Sequence, residues 1–189
     1  MVRSRARVAG ALLVGGASRR FGSPKALVRF EGKTLAERAH RVLTEAFDRV
    51  IVVGKASDAL ELPFPVLDDG SDVRAAIVGV AAALRLADAE VVVVLPTDMP
   101  LVTAELLVAL AEASEGAEAA VPHSGPLPGA YCRSALPVLE RRIAAGDLAL
   151  YRACVELEPR TLQWDEELLR NVNEPGDLQE EDGGPAVRP

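Results

Sequence analysis

Aromatic residues are scarce: one tryptophan, two tyrosines and four phenylalanines make up 4% of the 189 residues. A core must therefore be built from Ala, Val and Leu, and the stacking side chains typical of nucleic-acid binders are largely missing. Cysteine and histidine are equally sparse. Cys132 and Cys154 are not spaced as a metal pair, and His40 and His123 stand far apart, which argues against a zinc site. Both cysteines read as small buried hydrophobes of a chain whose thiols stay reduced. No apolar run reaches membrane-spanning length. The apolar run Val8–Val14 that follows the basic start is too short for a secretory signal, so a cytoplasmic location is expected. Carboxylates are absent from residues 1–30, which hold seven Lys and Arg; the remainder holds 14 cations against 28 carboxylates, within an overall net charge of −7. An acidic chain with one basic stretch excludes a broad nucleic-acid-binding face and suits the grip of one small anion.

What is present organises around Val8–Lys25. The run Val8–Val14 is small or apolar throughout and predicts a strand buried on both faces. It empties at Gly15-Gly16 into a loop that reaches Lys25. Glycines there allow close approach of the backbone to a ligand, and successive N–H groups can form an anion nest. Ser18 adds a hydroxyl donor, and Arg19, Arg20 and Lys25 add charges suited to phosphate. The expected ligand is a polyphosphate. The blander alternative is a surface turn with solvated arginines. The loop is not G-x-G-x-x-G, and Gly32-Lys33-Thr34 lacks the earlier glycine of a P-loop because Leu27 stands there.

Further along, Thr34-Leu35-Ala36-Glu37 is a capping box that predicts a helix to Phe47. Strands are expected over 49–54, 64–67, 90–95, 119–122, 130–133 and 160–164. Helices are expected over 74–86, 104–113 capped by Thr103, up to Ala145 capped by Ser134, and 148–154. The alternation predicts an α/β three-layer sandwich with a mostly parallel central sheet. Right-handed crossovers bring the loops after parallel strands to one edge, where such sheets bind ligands. The Gly15–Lys25 loop, the acidic loop Asp68–Asp72 and the loop Pro96-Thr97-Asp98-Met99-Pro100 should meet there. Residues 1–7 read as a flexible basic leader, 8–179 as one domain, and 180–189 as a disordered tail.

Asp98, held between two prolines, is the candidate ligand for Mg²⁺, which takes one or two carboxylates alongside phosphate oxygens and water. The alternative is that it caps the helix after Thr103. Asn171 and Asn173 offer neutral oxygens, although an Asn-x-Asn before Pro also suits a turn. No nucleophile–base pair stands out, and there is no G-x-S-x-G elbow. Nucleotidyl transfer needs neither, because one substrate brings its own phosphate as nucleophile and the protein positions and neutralises charge.

These residues resemble a known family. L-V-G-G-A-S-R-R-F-G-S-P-K (Leu13–Lys25) is similar to the L-A-G-G-x-S-x-R-M-G-x-x-K signature of nucleotidyltransferases with a Rossmann-like, glycosyltransferase-A-like fold. P-T-D-M-P resembles their metal loop. N-V-N-E-P-G-D-L (Asn171–Leu178) and P-L-P-G-A-Y (Pro126–Tyr131) resemble one branch, the molybdenum cofactor guanylyltransferases. The resemblance implies transfer of GMP from GTP to a molybdopterin-type phosphate with release of pyrophosphate. It implies Lys25, Arg20 and Asp98 as catalytic residues, and Leu13, Gly15, Gly16, Ser18, Asp72, Gly79, Asn171 and Asn173 as substrate-binding ones. Mg²⁺ would be the cofactor, held by Asp98, and contacts with molybdoenzymes or cofactor-pathway proteins fit the same branch. Neither nucleic acid nor membrane is an expected partner. Cytidylyl transfer, sugar-phosphate nucleotidyl transfer and a GTP sensor without turnover are the alternatives. Val14 and Phe21 depart mildly from the signature. Arg74-Ala-Ala-Ile-Val-Gly79 lacks the Gly-Pro of the family's base-binding segment, and Gly146-Asp147-Leu148 lacks the basic residues often found there.

Overall fold

The structure, a computed structural model, describes residues 8–15, 24–172 and 177. The expected leader 1–7 and tail 180–189 lie outside the described residues.

Val8–Leu13 forms β1, with a burial pattern that leaves only its ends partly open. After Pro24, a 3-10 turn at Lys25–Leu27 leads into a two-stranded hairpin, β2 (Arg29–Phe30) and β3 (Lys33–Thr34). The turn between them is Glu31-Gly32. The capping box forms: the Thr34 hydroxyl accepts from Glu37 N–H, and the Glu37 carboxylate accepts from Thr34 N–H. It starts α1 (Leu35–Ala46). Then follow β4 (Val50–Gly54), β5 (Leu67–Asp68), α2 (Ala76–Leu86), β6 (Val91–Pro96), α3 (Ala104–Ala113), β7 (Ala119–Pro122), β8 (Gly129–Cys132), α4 (Leu136–Ala144), α5 (Leu150–Glu156) and β9 (Arg160–Leu162).

The main sheet runs β5-β4-β1-β6-β8-β7-β9. β5, β4, β1 and β6 are parallel, β8 is antiparallel to both its neighbours, and β7 pairs parallel with β9. Alternate residues feed two cores, as the period of a strand requires. Ala9, Ala11, Val53, Val92, Val94 and Tyr131 pack with α2, α4 and α5. Leu12, Val14, Val52, Val93, Leu95 and Ala130 pack with α1 and α3 on the other face. The three-layer, mostly parallel architecture is therefore the expected one, with Ala, Val and Leu filling it.

Local differences have physical reasons. The strand expected over 64–67 is reduced to Leu67–Asp68, because the preceding segment lies against the side of the second core instead of pairing. Ser134 does not cap α4. Arg133–Ala135 makes a 3-10 turn that runs directly into the helix, with Pro137 at its second position. No helix among the described residues is long and apolar enough to cross a membrane.

The cysteines are free thiols. Cys154 is buried, while Cys132 is partly exposed with its Sγ 3.0 Å from the Ala117 carbonyl. Burial pushes the Cys154 thiol up from an ordinary 9.0 to about 11. Between these values the unfolded chain has lost a proton that the folded chain keeps. Stability contributed by the neutral thiol is thus fully present below pH 9 and lost as pH rises through the folded value. Urea unfolding should show a loss of about 1.4 kcal/mol per pH unit from this group across that window. Cys154→Ala should flatten the decline; an unchanged slope in that variant would reject the assignment.

Candidate active site

The loops after the parallel strands open onto a cleft of ≈ 870 Å³. That lies in the upper part of the range of small-molecule sites, roughly 300–1,000 Å³. The pairing of β1 with β6 sets its centre: Leu13 stands opposite Pro96, so the chain leaving each strand emerges beside the other. Lys25 Nζ donates to Asp98 Oδ2 at 3.3 Å, across 73 residues of sequence. Met99 and Val102, which follow Asp98, are buried in the second core and anchor the loop. The Asp98 carbonyl accepts from Val172 N–H at 2.7 Å, which draws Asn171 to the same cleft wall. Thr103 caps α3 by accepting from Leu106 N–H, so the carboxylate of Asp98 is left to Lys25 rather than to the helix.

Leu13, Gly15, Lys25, Gly79, Asp98 and Asn171 all line the cleft. Gly15 has φ +143°, a conformation that favours glycine. A Cβ on Gly79 would meet Leu13 Cδ1 at 3.0 Å, so α2 sits close on the end of β1. Asp72 is exposed and is not part of the lining. Its neighbour Asp69 is, from the same acidic loop. Gly16, Ser18, Arg20 and Asn173 lie outside the described residues.

Two ion pairs on the β4–β5 side were not read from the sequence. Lys55 and Asp69 are buried together: Lys55 Nζ donates to Asp69 Oδ1 and Oδ2 at 3.0 and 2.9 Å and to the Ser71 carbonyl. The signal for Lys55 was its position directly after the buried strand Val50–Gly54. The close approach there needs Gly54, since a Cβ would stand 2.5 Å from the Val14 carbonyl oxygen. The second pair joins Arg74, just before α2, to Asp58 in the 3-10 turn after β4. The Arg74 hydrogen bonds hold the Asp58 carboxyl below the usual carboxylate range. On the opposite side, Ser124–Leu127 contributes an uncharged wall. It is steadied by the fully buried Tyr131, whose hydroxyl donates to the Pro126 carbonyl at 2.6 Å.

Among the described residues no group of three or more His, Cys, Asp and Glu side chains could hold a metal ion by itself. One carboxylate facing a phosphate-sized space still fits a hard divalent cation that draws its remaining oxygens from substrate and water. Among the described residues the arrangement offers three cation–carboxylate pairs and a neutral wall, with no side-chain nucleophile beside a base.

A family model described as a MobA-like NTP transferase domain matches residues 10–159. A probable molybdenum cofactor guanylyltransferase of Geobacillus sp. (strain WCH70) is 33% identical over 190 residues, covering 92% of this chain and 97% of that protein. The molybdenum cofactor guanylyltransferase of Pseudomonas syringae pv. syringae (strain B728a) is 34% identical, covering 87% and 88%. The crystal structure of molybdopterin-guanine dinucleotide biosynthesis protein A from Archaeoglobus fulgidus superposes with a TM-score of 0.79 at 28% identity, covering 91% of this chain and 95% of that one.

The buried Lys55–Asp69 pair should be structural. Removing one partner of a buried pair strands the other charge, so Lys55→Met should destabilise the fold by about 3 kcal/mol in urea unfolding. A loss near zero would mean that water reaches Asp69 freely.

Proposed function

Because this chain belongs to the family of MobA-like NTP transferase domains, we propose that it transfers GMP from GTP to the terminal phosphate of a molybdopterin-type acceptor in the cytoplasm, releasing pyrophosphate. The observation that carries this reading is the Lys25–Asp98 pair at the mouth of the β1 and β6 strands, inside a cleft large enough for a nucleotide. Molybdenum cofactor guanylyltransferases similar over most of their length support the choice of base and acceptor.

The acceptor phosphate oxygen attacks the α-phosphorus of GTP as the bond to pyrophosphate breaks. The protein supplies position and charge rather than a covalent intermediate. Lys25 turns from Asp98 toward the phosphates, with Gly16, Ser18 and Arg20 assigned to the same task by the motif they belong to. Leu13, Gly15 and Gly79 line the nucleotide half of the cleft. Asp98 would hold Mg²⁺, with Asn171 on the same cleft wall and Asn173 assigned to the same task by its motif, and the ion would supply neutralisation of the charge that develops on the leaving pyrophosphate. The Ser124–Leu127 wall, uncharged and opposite the ion pairs, receives the acceptor.

Lys25→Ala and Asp98→Ala should each lower kcat by about 10²-fold or more while the far-UV spectrum and the unfolding midpoint stay near those of the parent. Titration calorimetry with GTP, CTP and ATP, with and without Mg²⁺, checks the substrate: GTP should bind most tightly, and only with the metal does turnover follow. A preference for CTP would redirect the assignment to cytidylyl transfer.

A further inference from the structure

Among the described residues the cleft holds three cation–carboxylate pairs, and they are not equivalent. Lys55 spends its ammonium on both oxygens of Asp69 and on the Ser71 carbonyl, and both side chains are buried. That pair is closed. Lys25 and Asp98 belong to the phosphate and metal end. Arg74 and Asp58 remain. They line the cleft, lie at the ends of β5 and β4, and stay open to water, with side chains 46% and 18% exposed.

Their geometry is specific. Arg74 Nη1 donates to Asp58 Oδ2 at 3.0 Å and Nη2 to Oδ1 at 2.5 Å, two parallel N–H bonds onto two carboxylate oxygens. The N1–H and N2 amine of guanine present the same pair of parallel donors, so the carboxylate of Asp58 is already shaped to accept that edge. The guanidinium is equally suited to the O6 and N7 acceptors of the same base. The surroundings suit a flat ring. Asp58 Oδ2 lies 3.6 Å from where a Cβ of Gly15 would stand, so the carboxylate sits over bare backbone. Leu60, Ala75, Ala76 and Gly79 give small or apolar walls on the same side. The strand order fits too. β4 and β6 flank β1, so Asp58 and Asp98 reach the cleft from opposite sides of the β1 end, Asp58 from the turn after β4 and Asp98 from the loop after β6.

We propose that Asp58 and Arg74 read the guanine base, with Arg74 occupying in the free protein the place that the N1–H and N2 amine edge takes on binding. This rests on the GTP reading above. Guanine displaces the arginine from Asp58, and Arg74 swings to O6 and N7. The guanine edge returns to Asp58 the two hydrogen bonds that the arginine gives up, so the carboxylate stays paired through the exchange. Base choice then comes from this chain's own Asp58 and Arg74.

Calorimetry with the full chain and Mg²⁺ tests it. In the parent protein, ITP, which lacks the N2 amine, should bind about tenfold or more weaker than GTP, since one oxygen of a charged acceptor loses its donor. Asp58→Asn should weaken GTP about tenfold or more and strengthen XTP, whose C2 carbonyl accepts from the new amide, so that the GTP:XTP preference shifts about a hundredfold. Arg74→Met should weaken GTP but leave inorganic tripolyphosphate unchanged. Equal binding of ITP and GTP by the parent overturns the proposal without need of any variant. So does an equal loss for every nucleotide in Asp58→Asn, which marks a structural pair. Loss of tripolyphosphate binding in Arg74→Met also overturns it, by making the arginine a phosphate ligand. A parent protein that prefers CTP over GTP fails the functional reading itself and is seen before any variant is made.

Discussion

Val8–Leu13 and Val91–Pro96 lie side by side in parallel, from Val8 opposite Val91 to Leu13 opposite Pro96. Both strands are buried on both faces, so a slip of one residue would turn every side chain to the wrong core. Register is therefore fixed by packing and not by the loops. The same register puts the chain that leads to Lys25 next to the chain that holds Asp98. Everything at the site inherits this: a cation and a carboxylate 73 residues apart meet because two strands of Val, Ala and Leu cannot pair in any other way without burying the wrong faces.

Charge is distributed along the edge in the order the strands impose. Arg74 and Asp69 follow β5, Asp58 and Lys55 follow β4, and Lys25 and Asp98 follow β1 and β6. Past β6 the wall becomes neutral, because β8 runs antiparallel and the Ser124–Leu127 loop that precedes it reaches the cleft from the other direction. One edge thus offers a slot lined with small residues, then the Lys25–Asp98 pair, then an uncharged face. That sequence of environments suits a nucleotide laid along the edge with a second substrate beyond its α-phosphate.

Much of this was legible in the residues because its causes are local. The capping box at Thr34–Glu37 and the cap at Thr103 are readable from four residues each, and both form. Buried strands announce themselves as Val and Ala runs. The convergence of loops on one edge follows from handedness and alternation alone. Partner choice was not legible. Within Asp68–Asp72, Asp69 turns to the cleft and binds Lys55 while Asp72 faces solvent, and nothing in D-D-G-S-D distinguishes them before the sheet is assembled. Arg74 and Asp58 were invisible for the same reason: each is an ordinary surface residue until β4 and β5 pair. Ser134 failed as a cap because Arg133–Ala135 tightens into a 3-10 turn, a choice made by the junction with β8 and not by the serine.

The central claim is that Asp98 engages a divalent ion together with a triphosphate on the β1 side of the cleft. Electron paramagnetic resonance of Mn²⁺ added to the protein addresses it directly. The account predicts weak association without nucleotide, a marked gain with GTP, and loss of that gain in Asp98→Asn. Equal Mn²⁺ affinity with and without GTP, or a nucleotide-dependent gain that persists in Asp98→Asn, would contradict it.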